Sequence, residues 1–332
     1  MKAIIPVAGA GTKLRPHTYT QPKALIPLAG KTILSIIIDQ LREAGIYEFI
    51  FIVGYLGEKI QDYVEEKYPE LTAHFIYQNE RHGIGHAIQL TCDIVGEDEI
   101  FIVLGDTICE FDVKEVVNYP GSILGVKRVD DPRNFGVAEL DEDGNIERVV
   151  EKPQIPKSNM ALVGIYRIKE SGILFNCLRN NINNQVTSYG EYNLTDAIEC
   201  MINNGVKLQS FKVQNWFDCG RKDTLLDSNA KLLKKFGSAI SPEHQFENTI
   251  IIEPVSIGKG CDIKNSIIGP NVAIGEQTKV NYSIVKDSII GSFANLDDIV
   301  LTSSLIGSDT EVKGESRSLN IGDNTEIDLG ES

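Results

Sequence analysis

Three basic residues stand close together near the start of the sequence: Lys13, Arg15 and Lys23. They follow a short apolar run, Ala3–Val7, and the turn Ala8-Gly9-Ala10-Gly11-Thr12. A glycine turn lets backbone N–H groups approach a polyphosphate, and fixed basic side chains then neutralise it. Ala8, Gly9, Gly11, Thr12 and Lys13 are therefore candidate phosphate-cradling residues. Lys23, set between Pro22 and Pro27, is a candidate catalytic cation alongside Lys13. The loop is not a dinucleotide fingerprint, because Gly9-Ala10-Gly11-Thr12-Lys13-Leu14 lacks the third glycine, and it is not an ATPase P-loop, because no Gly-Lys-[Ser/Thr] follows. Two isolated aspartates add to the picture. Asp106 follows the apolar run Ile100–Leu104 and Gly105, and Asp218 lies between Trp216-Phe217 and Cys219-Gly220. Magnesium is typically held by one or two carboxylates plus substrate phosphates, so Asp106 and Asp218 are candidate metal ligands.

The elements that must position these residues alternate between strand and helix. Strands are predicted at Ala3–Val7, Glu48–Val53, His74–Gln78 and Ile100–Leu104, and helices at Ile33–Ala44, Glu58–Lys67 and Ile84–Ile94. Such alternation implies a doubly wound, mixed and mainly parallel Rossmann-like sheet, with ligands at strand C-termini. A strand-rich stretch follows from Ser122 to Ile168, then a connector helix at Leu225–Phe236. After about Ser241 helix signals vanish. Apolar residues recur six apart, as in Ile257 and Ile263, or Ile268, Ile274 and Val280, or Ile284, Ile290 and Leu296, and later Ile306 and Val312, and Ile321 and Ile327. Glycines recur at Gly275, Gly291, Gly307 and Gly322. One inward aliphatic per hexapeptide, with glycine or small polar residues at corners, is the pattern of a parallel β-helix. The expected domains are a catalytic domain at 1–237, including the connector, and a β-helix at 238–332.

Composition narrows the function classes. A hydrophobic fraction of 42% and a charged fraction of 24% match a soluble globular protein. A net charge of −15 argues against nucleic acid and against anionic membranes. The six cysteines show no Cys-x-x-Cys, so neither zinc nor a disulfide framework is expected, and reduced thiols in a cytoplasmic protein are the default. No signal peptide precedes the first strand, and no apolar run approaches the ~18 residues of a membrane span. His17, His74, His82, His86 and His244 offer no metal-ligand spacing, and no Gly-x-Ser-x-Gly argues for a hydrolase.

The full N-terminal pattern over residues 9–31 is Gly-x-Gly-Thr-[basic]-Leu-x-Pro-x-Thr-x-x-x-Pro-Lys-x-Leu-x-Pro-x-x-x-Lys. It resembles the signature of the sugar-1-phosphate nucleotidylyltransferases, or NDP-sugar pyrophosphorylases. With the tail, the chain is most similar to the long-form glucose-1-phosphate thymidylyltransferases, whose β-helix is left-handed. The resemblance implies an Mg²⁺-dependent nucleotidyltransferase of nucleotide-sugar and polysaccharide biosynthesis. It takes a nucleoside triphosphate and a sugar 1-phosphate as small-molecule substrates, and its tail has a structural or homo-oligomerising role. Tyr77-Gln78 with Gly83-Ile84-Gly85 is similar to the family's base-reading segment, so Gln78 and Gly83 join the nucleotide-binding candidates. Phe135-Gly136-Val137, Glu151-Lys152-Pro153 and Gly164-Ile165-Tyr166 resemble its sugar-binding half. That gives Gly136, Glu151, Lys152, Gly164 and Tyr166, with Glu151 accepting sugar hydroxyls and Lys152 on the sugar phosphate. Gly190-Glu191 and Thr195-Asp196 match a stretch before a family helix, and Thr195-Asp196 are expected to cap it. Two positions depart from the family: Lys13 stands where it has arginine, and Thr107 where it has asparagine.

The implied reaction is attack of the sugar phosphate on the α-phosphorus, with pyrophosphate leaving. The favoured pair is dTTP with glucose 1-phosphate, then UTP with glucose 1-phosphate, then GTP with mannose 1-phosphate. A non-catalytic regulatory homologue is the alternative of another class.

Overall fold

The computed structural model describes residues 1–240 and 246–314. The chain divides into two compact units, 1–232 and 233 onward. The division falls within the helix Lys222–Phe236.

The first unit is built on β1 (Lys2–Pro6), whose Ala3, Ile4 and Ile5 are fully buried. A continuous apolar run of this kind suits a strand covered on both faces. Lys2 pins its outer end, its ammonium reaching Glu48 at 3.3 Å and Asp98 at 3.1 Å. Helix α1 (Ile33–Glu43) starts at a capping box, in which Thr32 and Ser35 satisfy each other's backbone N–H groups. β2 (Glu48–Val53), α2 (Gly57–Lys67), β3 (Thr72–Tyr77), α3 (Ile84–Gln89) and β4 (Ile100–Val103) follow. The expected helix over 84–94 is two pieces, α3 and a short turn at Cys92–Val95.

β1 pairs in parallel with β2 on one side and β4 on the other, and β2 pairs in parallel with β3. The chain thus winds outward through β2 and β3, then returns across β1 to β4. The gap beyond the C-terminal ends of β1 and β4 is the topological switch point, where open α/β sheets bind ligands. The rest of the sheet is largely antiparallel. It comprises β6 (Ser122–Arg128), β7 (Gly136–Leu140), β8 (Ile146–Glu151), β9 (Met160–Ile168) and β10 (Leu208–Lys212), with β9 joined to β4. Outside it, β5 (Thr107–Glu110) and β11 (Asn215–Asp218) form a two-stranded ribbon. Helices α4 (Ser171–Asn183) and α5 (Leu194–Asn203) pack against the sheet core, which includes Ile4, Ile102, Phe175, Ile198 and Met201.

The reduced state expected of all six cysteines does not hold. Cys177 of α4 and Cys200 of α5 are disulfide-bonded, their Cα atoms 5.8 Å apart, inside the range a disulfide spans. The pair comes from helices brought together by packing, so no local spacing announces it.

The second unit is a left-handed parallel β-helix. Its described strands form three parallel sheets of five, four and four members. Register partners such as Lys279, Asn295 and Glu311 step by one coil. Ile257, Ile263, Ile268, Ile274, Val280, Ile290 and Leu296 are buried inside, as the six-residue spacing predicts. Ile284 is an exception: it is 43% exposed, and Val285 fills the interior instead. The register accounts for the exchange, because Ile268 lies opposite Val285 while Ile267 lies opposite Ile284. Many corners are left-handed without being glycine, among them Asn265, Gln277, Tyr282 and Asp298. Side-chain amides run along the axis as a ladder, Asn248 to Asn265 at 3.1 Å, Asn265 to Asn281 at 3.2 Å and Asn281 to Asp297 at 3.3 Å. His244, Gly322 and the Ile321–Ile327 repeat lie outside the described residues.

Candidate active site

The loop after β1 and the loop after β4 meet at the switch point. Gly105 donates its N–H to the Pro6 carbonyl at 3.2 Å. A side chain at Gly105 would collide with Val7 and come within 2.7 Å of that carbonyl, so only glycine permits the approach. Gly11 is left-handed and its carbonyl accepts from the Thr18 hydroxyl at 2.9 Å, which folds the signature loop back on itself. The loop continues to Pro22 and a short turn, Lys23–Leu25. That turn delivers the Lys23 ammonium to the Asp106 carboxylate at 2.6 Å. Lys23 is the better buried of the two, its side chain 17% exposed against 52% for Asp106.

Both residues line a cavity of about 350 Å³, together with Ala8, Gly9, Gln78 and Gly83. Arg81 and Glu191 line it too, beyond the site residues expected from the sequence. Single charged residues on loops carry no local pattern that marks them as site residues. Gly11, Thr12 and Lys13 do not line the cavity, and Lys13 sits exposed on the adjoining turn.

The ribbon brings the second aspartate to the first. In the β5–β11 register Asp218 lies opposite Thr107, the residue after Asp106. One Asp218 oxygen accepts the Gly220 N–H at 2.7 Å. Lys23, Asp106 and Asp218 all act electrostatically on Cys219, whose thiol burial pushes up to about 12. Among the described residues no three acidic, histidine or cysteine side chains gather as a metal cage. Two neighbouring carboxylates fit Mg²⁺ when substrate phosphates and water complete its shell.

Gln78 directly follows β3, is buried, and donates its N–H to the Val53 carbonyl at 2.8 Å. Its amide nitrogen donates to the Gly83 carbonyl at 3.2 Å and lies 3.3 Å from Nδ1 of His86. Donation to Nδ1 requires a neutral imidazole. Burial, helped by nearby His82, holds the His86 pKa below its ordinary value and favours that form. The amide oxygen is left as an acceptor for a ligand N–H.

The sugar-site candidates cluster around the end of β8. Glu151 lies opposite Gly136 in the β7–β8 register. A side chain at Gly136 would come within 2.9 Å of the Thr195 hydroxyl and 3.3 Å of a Glu151 oxygen. That hydroxyl donates to Glu151 at 2.8 Å. Thr195-Asp196 therefore do not cap α5 as expected. The N-cap position is Asn193, with no side-chain cap bond, while Asp196 accepts from Ser188 at 3.0 Å. The reason is position: the helix already begins at Leu194, so Thr195 and Asp196 lie inside its first turn, and β8 running beside it gives the Thr195 hydroxyl a carboxylate, Glu151, to donate to. Lys152 lies 3.3 Å from Glu151. Gly164 binds the loop after β4, its carbonyl accepting from Leu104 at 3.0 Å. Tyr166 is only 5% exposed and packs in the sheet core, which leaves it little surface to offer a sugar; burial, with Glu151 close by, raises its pKa.

The chain is similar to known proteins over most of its length. The chain is 30% identical to the low-salt glycan biosynthesis nucleotidyltransferase Agl11 of Haloferax volcanii, over 99% of this chain and all of that one. It is 35% identical to the bifunctional protein GlmU of Methanocaldococcus jannaschii, over 94% of this chain and 83% of that one. It is 31% identical to a glucose-1-phosphate thymidylyltransferase of Streptomyces griseus, over 94% of this chain and 93% of that one. Among solved structures, UDP-glucose pyrophosphorylase complexed with UDP-glucose superposes with a TM-score of 0.60 at 23% identity, over 70% of this chain and 98% of that one, and so shares the fold. The nucleotidyl transferase family matches residues 2–235, which include Lys23, Asp106, Glu151, Lys152 and Asp218. The chain belongs to that family and is a sugar-1-phosphate nucleotidyltransferase.

Proposed function

We propose that the enzyme transfers the thymidylyl group of dTTP to glucose 1-phosphate, releasing pyrophosphate, with Mg²⁺. The observation that carries this reading is the Lys23–Asp106 ion pair in the switch-point cavity, with Asp218 brought alongside Thr107 by the β5–β11 register. A phosphomonoester has its second pKa near ~6 and is largely dianionic at pH 7, so it attacks without a general base. The difficulty is electrostatic. Two unit charges ~4 Å apart repel by roughly 4 kcal/mol at an effective dielectric of 20. The enzyme must hold two anions in line and screen that repulsion.

Lys23 is assigned to the α-phosphate, Lys13 to the departing pyrophosphate and Lys152 to the attacking phosphate. Asp106 and Asp218 would hold Mg²⁺, which supplies charge neutralisation at the reacting phosphates. Gln78 presents its amide oxygen to the N3–H of a pyrimidine. Glu151, oriented by Thr195, accepts hydrogen bonds from sugar hydroxyls. The β-helix is read as structural or oligomerising.

The test is a matrix of dTTP, UTP and GTP against glucose and mannose 1-phosphates, scored by pyrophosphate release with Mg²⁺. Highest kcat/KM for dTTP with glucose 1-phosphate supports the reading. A preference for UTP replaces the nucleotide assignment, because glutamine serves uracil equally well. Release with none of the pairs supports a non-catalytic homologue.

A further inference from the structure

The turn between α4 and α5 carries a residue with no role assigned above. Ser188 and Glu191 exchange both backbone hydrogen bonds, at 3.1 and 3.2 Å, and close a two-residue hairpin turn. Its central residues, Tyr189 and Gly190, are both left-handed, with φ of 57° and 78°. Asparagine and glycine are the usual choices for such a turn, and a tyrosine in its first position is a poor one for the backbone. The turn is fixed from both sides. Ser188 donates to Asp196 at 3.0 Å, and the Asn193 amide donates to the Ser188 carbonyl at 2.8 Å.

The Tyr189 side chain points to what the turn does. Its hydroxyl donates to the Lys152 carbonyl at 2.6 Å, and the Lys152 ammonium lies 5.8 Å from its ring centroid, within cation–π range. Lys152 is itself left-handed, with φ of 42°. A lysine keeps that conformation only when its surroundings impose it. They do so through two bonds: the Lys152 N–H donates to the Phe135 carbonyl at 3.0 Å, and its own carbonyl receives Tyr189. The next residue but one in the turn, Glu191, lines the cavity.

We infer that Tyr189 is a positioning residue that sets the Lys152 ammonium for the phosphate of the sugar 1-phosphate. The inference rests on the assignment of Lys152 made above. Once that phosphate is bound, the ring keeps one face of the ammonium out of water while the phosphate takes the other.

The test uses the full-length enzyme and two variants. Tyr189→Phe removes the hydroxyl and keeps the ring. Tyr189→Asn suits the left-handed turn and removes both contacts, so it should melt no lower than wild type. We expect Tyr189→Phe to raise KM for the sugar 1-phosphate by about fivefold, as loss of one hydrogen bond predicts. Tyr189→Asn should raise it further, and in both variants KM for the triphosphate should stay within about twofold of wild type, because the lost bond touches only Lys152. In a Lys152→Ala background Tyr189→Phe should have no further effect. An unchanged sugar-phosphate KM in Tyr189→Asn, or an equal rise in both KM values, overturns the inference. Wild-type enzyme that transfers to no sugar 1-phosphate overturns the assignment beneath it instead.

Discussion

The two halves of the site are built in different ways. The half around Lys23 is made of turns: Gly11, the turn at Lys23–Leu25 and the close Gly105–Pro6 contact hold it mostly through the backbone. The half around Lys152 is made of side chains that hold one another, Thr195 on Glu151, Glu151 beside Lys152 and Tyr189 on Lys152. A backbone cradle is fixed by local sequence and tolerates side-chain changes that leave its turns alone. A web of side chains loses orientation when any member is cut. In the first half, loss of the central Lys23 should therefore be costly while changes around it are tolerated, and in the second half each cut should act in graded steps.

The sharpest way to break that contrast is Lys23→Ala. Turnover should fall by about two orders of magnitude or more, the size of losing a charge-stabilising donor. The fold should survive, because the partner Asp106 is half exposed and water replaces the ammonium. Steady-state pyrophosphate release and thermal melting check the two parts, and near-normal turnover would remove Lys23 from the centre of the reaction. Next in size is Thr195→Val in the second half. It leaves a mostly buried Glu151 oxygen without its donor, and KM for the sugar phosphate should rise about fivefold while the triphosphate KM holds.

A pH profile sharpens the first half. The His86 pKa lies below its ordinary 6.5 in the folded protein, so the folded state resists its protonation. Its contribution to stability is complete above the unfolded value and is lost as pH falls through the folded one. Over the same acid range the imidazole stops accepting from Gln78, which should add to the rise in KM for the nucleotide; the sugar phosphate titrates there on its own account, so the comparison is of the nucleotide KM between wild type and a His86 variant. His86→Asn should flatten the part of the nucleotide KM rise that the imidazole contributes, leaving the sugar-phosphate profile as in wild type. The smallest expected change is Lys13→Arg, which supplies the family's bidentate side chain; triphosphate KM should fall by about threefold or less, because Lys13 is exposed.

The contrast also explains what could be read from the sequence. The βα alternation, the switch point and the repeating coils follow from local periodicity, and Lys23 from a compact motif. Asp106 and Asp218 were visible as strand-end carboxylates, but only the β5–β11 register brings them together. The Thr195–Glu151 and Tyr189–Lys152 pairs lie 44 and 37 residues apart, and each depends on a turn and a sheet meeting in space. Hydrogen bonding of that kind has no spacing to detect. Near a helix start the commonest role of a threonine is to cap, and nothing local in the sequence distinguishes Thr195 from one that does. In the β-helix a coil shorter than three full hexapeptides shifts the phase on one sheet, which is why Ile284 faces outward and Val285 inward.

The central claim is that one site holds two anions on separate sets of cations. The most direct measurement is calorimetric titration of each substrate into Lys23→Ala and Lys152→Ala, with Mg²⁺ and, for the sugar phosphate, a non-transferable triphosphate analogue present. A crossed pattern is expected. Lys152→Ala should lose about tenfold or more in sugar-phosphate affinity and keep its triphosphate affinity, and Lys23→Ala should do the reverse, each having lost one charge-assisted contact. Equal weakening of both ligands in both variants would contradict it.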